Sequence, residues 1–130
     1  MRWMDMTWPD FESVSSDTLI VWPLASCEQH GHHLPVGTDT VLVTESAERI
    51  ERELPDNVLL QPALWLGASN HHRGFPGTVS LSEGLYSTVL QETLSGVIDG
   101  PVCARGRAKR IFVLNGHGGN DFAPLIRQIQ

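Results

Sequence analysis

Three short apolar runs punctuate the chain, and between them apolar positions recur at helical spacing. "TLIVWPLAS" over residues 18–26 is nearly unbroken, the pattern of a strand covered on both faces. From Thr38 onward, Val41, Leu42, Ala47, Ile50 and Leu54 alternate with Glu45, Glu48, Arg49, Glu51, Arg52 and Glu53. This predicts an amphipathic helix ending before Pro55, with Thr38 or Asp39 as its N-cap. A second run, "NVLLQPALWLGA" over residues 57–68, contains Pro62, which belongs at an edge, a bulge or a strand end. Ser82 and Glu83 open another helical stretch carrying Leu85, Val89, Leu90, Leu94, Val97 and Ile98, and Gly96 and Gly100-Pro101 weaken its end. "RIFVL" over residues 110–114 is a third buried strand, after which Asn120 or Asp121 is the expected cap of a final helix. Residues 1–17, with Trp3, Met4, Met6, Trp8 and Phe11 set among acids and Pro9, read as a peripheral arm covering a face or a subunit contact.

The order β, α, β, α, β, α without hairpin signals predicts a parallel sheet with helices on both faces. Ligands gather beyond the carboxyl ends of such strands. Three polar loops fall there: residues 28–39 after the first strand, 69–78 after the second and 115–120 after the third.

At 130 residues the chain suits one domain, residues 1–130, with a real core. Its net charge of −6 would repel a phosphate backbone, so nucleic acid is not an expected partner. No apolar run reaches the roughly 18–20 residues of a membrane span, and residues 1–14 lack the apolar segment of a signal peptide; membrane is not expected, and the cytoplasm is the expected location. Cys27 and Cys103 make no CxxC pair and read as small core residues.

"EQHGHHLPVGTD" over residues 28–39 holds two carboxylates and three histidines, which favours a metal site over a merely polar loop. Glu28 and His30, two apart, point the same way in an extended segment. Asp39, near a helix start, has two oxygens with which to bridge two cations. His117 lies in a glycine-rich turn that lets backbone approach a ligand closely. His32 and His33 read as loop wall. His71 and His72, beside Ser69, stand between substrate contacts and a plain polar loop. "GHGGN" alone would also fit an anion nest before a helix, but no P-loop or GxGxxG supports a nucleotide.

"EQHGHHLPVGTD", "GASNHHRGFPGTVSL" and "VLNGHGGN" resemble, in order and spacing, the three motifs of the creatininase (creatinine amidohydrolase) family. The resemblance implies an α/β, three-layer α/β/α fold with a mostly parallel sheet, here incomplete at the C-terminal end. It implies a binuclear centre of zinc, manganese or iron, two ions per site in the complete protein, and a homo-oligomer, often a hexamer. The implied activity is metal-dependent hydrolysis of a C–N amide bond in a small cyclic amide or related substrate. Matched residue by residue, Glu28, Asp39 and His117 would hold one metal, and Asp39 would bridge to a second metal also bound by His30. Ser69 and Gly118 take substrate-pocket positions, and His72 a catalytic one as a polar contact to substrate.

The sequence departs from creatininase proper at Gly119, where that branch has a glutamate completing the second metal's shell. Branches with the glycine form, among them peptidases of cofactor maturation and formamide deformylases, draw that carboxylate from a later segment. Family members are roughly twice as long, so the general acid is expected beyond Gln130 and this portion alone is expected to be weakly active or inactive. The alternative is a non-catalytic metal-binding or oligomerisation remnant.

Overall fold

The computed structural model describes residues 1–100 and 110–123. Five main elements form its frame: β1 (Leu19–Leu24), α1 (Thr38–Glu53), β2 (Val58–Leu60), α2 (Glu83–Asp99) and β3 (Arg110–Asn115). The strands lie in the order β2-β1-β3, all parallel. The apolar run of β1 is explained by its central place: it pairs Leu19 with Val58 on one side and Arg110 on the other.

Alternation along β1 divides the core. Val21 packs with Val58 and Leu60 of β2 and with Ala47 of α1. Trp22 and Leu24 pack with Tyr86, Leu90 and Leu94 of α2. The two helices therefore cover opposite faces, giving the expected three layers. The arm forms two short 3₁₀ turns, Trp3–Asp5 and Trp8–Ser13. Its Met1, Trp3, Met6 and Phe11 pack on Val14, Ile20, Leu59 and Val97, so the arm covers a face, as its aromatics suggest.

Several expectations change. Neither Thr38 nor Asp39 caps α1; Gly37 takes that position without a side-chain bond, and the Thr38 hydroxyl donates to the Pro35 carbonyl at 2.6 Å. The buried stripe of α1 is Asp39, Val43 and Ala47, at four-residue steps, while Val41 and Leu42 are exposed. The helix is rotated so that its N-terminal turn delivers a carboxylate to the sheet edge, and the two apolar residues are left outside. β2 is only three residues long and stops before Pro62; the run continues as irregular chain, with isolated bridges from Leu64 to Leu24 and from Gly67 to Ser80. Gly96 does not break α2, which is capped at its start by the Ser82 hydroxyl accepting from Leu85 N–H and ends at Gly100. The Asn120 side chain is bonded to Ala25, Ala68 and Asn115. Asp121 accepts from the Ala123 N–H at 2.8 Å, and the expected final helix, like Cys103, lies outside the described residues. Cys27 is buried and unpaired.

Candidate metal centre

Parallel pairing brings the ends of β1 and β3 side by side, Leu24 opposite Asn115, so the loops that follow them meet. The loop after β1 doubles back, with Glu28 N–H bonded to the Val36 carbonyl at 3.0 Å. That places Glu28 and the start of α1 together. Glu28, Asp39 and His117 are only 7%, 8% and 5% exposed, and they bring one ligand atom each to within 4.8 Å of one another.

Acceptors face both ring nitrogens of each imidazole. His117 Nε2 lies 3.3 Å from the Ala68 carbonyl, and its Nδ1 faces Asp39 Oδ2 at 3.1 Å and Glu28 Oε1 at 3.3 Å. His30 repeats the pattern: its Nδ1 lies 3.0 Å from the Glu28 carbonyl and its Nε2 3.0 Å from the other Asp39 oxygen, Oδ1. A neutral imidazole has a single N–H, so in each ring one lone pair is set against an acceptor, with both rings crowding the Asp39 carboxylate.

Such convergence is relieved by protons on the imidazoles or by cations among the atoms. Protons alone do not relieve Glu28 Oε2, which is buried with no hydrogen-bond partner. The donor set of carboxylate oxygens and imidazole nitrogens suits borderline and hard divalent ions. The residues present therefore fit a divalent cation. Burial lowers the His30 pKa, but the Glu28 carbonyl and the Asp39 carboxylate outweigh it and hold the group above its ordinary value.

The residues behind this group are placed with equal definition. Ser26 donates its hydroxyl to Asp39 Oδ2 at 2.7 Å, orienting the carboxylate. Ser69, expected at the substrate pocket, is fully buried behind His117, its hydroxyl 3.2 Å from Nε2. Asn115 holds the His117 backbone at both ends, accepting from its N–H at 3.2 Å and donating to its carbonyl at 2.7 Å. Asn120 ties the three loops together: its amide donates to the Ala25 carbonyl at 3.2 Å and to Asn115 Oδ1 at 3.0 Å, and accepts from Ala68 N–H at 3.1 Å. Its place at the end of "GHGGN" is the one sequence signal that singles it out.

The second loop contributes two further imidazoles. His71 Nε2 stands 3.9 Å from Glu28 Oε2, and the His71 ring stacks parallel to His117 at 6.2 Å between centroids. Glu28, His71 and His72 form a second group whose ligand atoms lie within 4.8 Å of one another. His71 is thus brought to the site with His72, whereas His32 and His33 are exposed, in keeping with a loop wall. At Gly118 a Cβ would meet nothing within 4 Å. At Gly119 a Cβ would lie 2.5 Å from His117 Nε2 and 2.6 Å from the Ala68 carbonyl. No side chain fits there in this conformation: the His117–Ala68 bond and a carboxylate at residue 119 exclude each other.

Fold and donor set together define a class: an α/β protein with a carboxylate–imidazole cluster, suited to divalent cations, at the carboxyl edge of a parallel sheet. The family model described as Creatininase: Creatinine amidohydrolase matches residues 4–129, and the chain belongs to the creatininase family. It is 37% identical over 114 residues to a mycofactocin precursor peptide peptidase of Mycobacterium tuberculosis, covering 82% of this chain and 43% of that protein. It is 28% identical over 124 residues to the creatinine amidohydrolase of Pseudomonas putida, covering 90% and 45%. A mutant creatininase solved in a Zn–Zn form superimposes with a TM-score of 0.80 at 27% identity, over 98% of this chain and 49% of that one; another creatininase of this fold is a Mn form. The chain spans about half the length of the curated relatives it matches.

Proposed function

We propose that this chain supplies the cation-binding portion of a metal-dependent amidohydrolase. The observation that carries the reading is the pair of imidazole nitrogens set against the two oxygens of Asp39, next to Glu28 Oε2, which is buried with no hydrogen-bond partner. In this reading Glu28, Asp39 and His117 would hold one divalent ion, zinc, manganese or iron, and His30 with Asp39 would contribute to a second. A cation bound there supplies a water of lowered pKa and polarises an amide carbonyl. The chain's own residues do the rest of the work at the site. Ser26 fixes Asp39, the Ala68 carbonyl contacts the His117 ring, and His72 gives a polar contact to substrate.

Among amide substrates, a peptide is favoured over a small cyclic amide or a formamide, because identity to the peptidase is 37% against 28% to the creatinine amidohydrolase. Exposed Val41 and Leu42 on the outer face of α1 suit a contact surface in a homo-oligomer. Among the described residues no helix is long and apolar enough to cross a membrane. Since the relatives are about twice as long, this portion by itself is expected to bind cation with little or no turnover.

The test is metal analysis of the purified chain with unfolding curves in chelator and in excess Zn²⁺ or Mn²⁺. Stoichiometric metal that raises stability supports the reading, and no bound metal with identical curves refutes it. Amide hydrolysis lost in chelator and restored by metal would show that the chain is active alone, against the last expectation. Metal binding in a complete protein that hydrolyses no amide would favour a non-catalytic remnant.

A further inference from the structure

Asp39 is not alone in facing a different imidazole with each oxygen. Glu28 Oε1 stands 3.3 Å from His117 Nδ1, and Oε2, buried with no hydrogen-bond partner, stands 3.9 Å from His71 Nε2. The 3₁₀ turn Asn70–His72 brings a third group alongside. The His72 ring lies 4.2 Å from that of His71, and Glu28, His71 and His72 each offer a ligand atom within 4.8 Å of the others. Gln29 does not block this set. Its amide nitrogen is 2.9 Å from His72 Nδ1 and 3.5 Å from Nε2. Two distances so alike put it over the ring face and off either lone-pair axis, so the ring's lone pair stays free for a cation whichever nitrogen bears it.

We propose that Glu28 Oε2, His71 and His72 form a second zinc site, joined to the centre at Asp39 and His117 through the two oxygens of Glu28. Two imidazoles and one carboxylate favour zinc over manganese or magnesium, which suit oxygen donors. Zinc held at about 2.0–2.2 Å sets tetrahedral donors about 3.4 Å apart. His71, its side chain 56% exposed, closes on Glu28 Oε2 from 3.9 Å by a small rotation of its ring. Three protein ligands with one exposed edge leave a position for a water or a carbonyl oxygen, as in catalytic rather than structural zinc sites. The set is complete in itself, whereas His30 with Asp39 makes two donors, and Gly119 admits no side chain that could add a third in this conformation. The contact of His72 to substrate is then made through the ion it holds. That last clause rests on the amidohydrolase reading; the zinc assignment does not.

Zinc uptake by the purified chain, counted by metal analysis after dialysis and by titration calorimetry at a pH of about 8, where imidazoles are neutral, tests the proposal. A His71→Ala/His72→Ala chain keeps His30, Asp39 and His117, and is expected to bind one equivalent of Zn²⁺ fewer than its parent. An unchanged count overturns the proposal. Asp39→Asn is expected to keep the equivalent that needs His71 and His72, and loss of all zinc from a folded Asp39→Asn chain also overturns it. If Asp39→Asn binds as much zinc as the parent, the centre at Asp39 and His117 fails while this site stands. Long-range ¹H–¹⁵N correlation of the unaltered, ¹⁵N-labelled chain decides the matter even where a variant fails to fold. The ring nitrogens of His71 and His72 are expected to shift on addition of Zn²⁺, and resonances that stay in place overturn the proposal.

Discussion

Replacing Glu28 with glutamine removes a buried charge whose Oε2 has no hydrogen-bond partner and whose Oε1 stands 3.3 Å from His117 Nδ1. In the absence of a cation this substitution is expected to stabilise the fold. The glutamine amide can donate to His117 Nδ1, and an unsatisfied buried group of this kind costs about 1–3 kcal/mol. For a chain of this size that corresponds to a rise in Tm of about 3–15 °C. In the presence of a cation the order is expected to reverse. A ligand at 100 times its Kd stabilises by about 2.7 kcal/mol, or about 10 °C, and the variant has lost one of the three ligand atoms that earn this gain. Thermal or urea unfolding of both proteins, each in chelator and in excess Zn²⁺, gives the four numbers required. A Glu28→Gln protein less stable than its parent in chelator, or equally stabilised by Zn²⁺, would refute the reasoning.

Three further outcomes follow from the same geometry. Asn120→Ala strands the Ala68 N–H and the Ala25 carbonyl in the interior and is expected to cost about 2–5 kcal/mol in urea unfolding. Gly119→Ala is expected to destabilise by about 1–3 kcal/mol, its Cβ forcing His117 off the Ala68 carbonyl, whereas Gly118→Ala, with open space around it, should stay within about 0.5 kcal/mol. The raised His30 pKa sets a pH dependence. Without a cation, its contribution to stability is complete below the unfolded-state value and is lost as pH rises through the higher folded-state value. Cation binding must displace that proton, so Zn²⁺ affinity measured by titration calorimetry should fall as pH drops below the folded value, and His30→Gln should flatten the dependence.

The element order was legible in the sequence because buried parallel strands are continuous apolar runs, and β1 and β3 appear within one or two residues of where the runs place them. The rotation of α1 was not legible. Val41 and Leu42 weigh as core residues in any apolar count, but Asp39 must reach the sheet edge, and one helix face cannot serve both demands. Glu28, His30, Asp39 and His117 stood out because carboxylates and imidazoles cluster in loops that parallel strands bring to one edge. The parts played by Ser26, Asn115 and Asn120 did not stand out. Each acts through a hydrogen bond to a partner distant in the chain or to backbone, and such bonds leave no period or composition to read.

Asp39 and His117 are 78 residues apart, and their meeting depends on β1 and β3 being paired first. Closing a loop of that length early in folding is costly and brings no compensating local contact. The centre therefore assembles late, after most of the sheet. A cation that recognises only the assembled centre does little for the rate of folding and acts on the reverse step, lengthening the lifetime of the native chain. Refolding rates should be nearly insensitive to Zn²⁺ while unfolding rates fall with it, so the centre would protect the protein kinetically once it has formed.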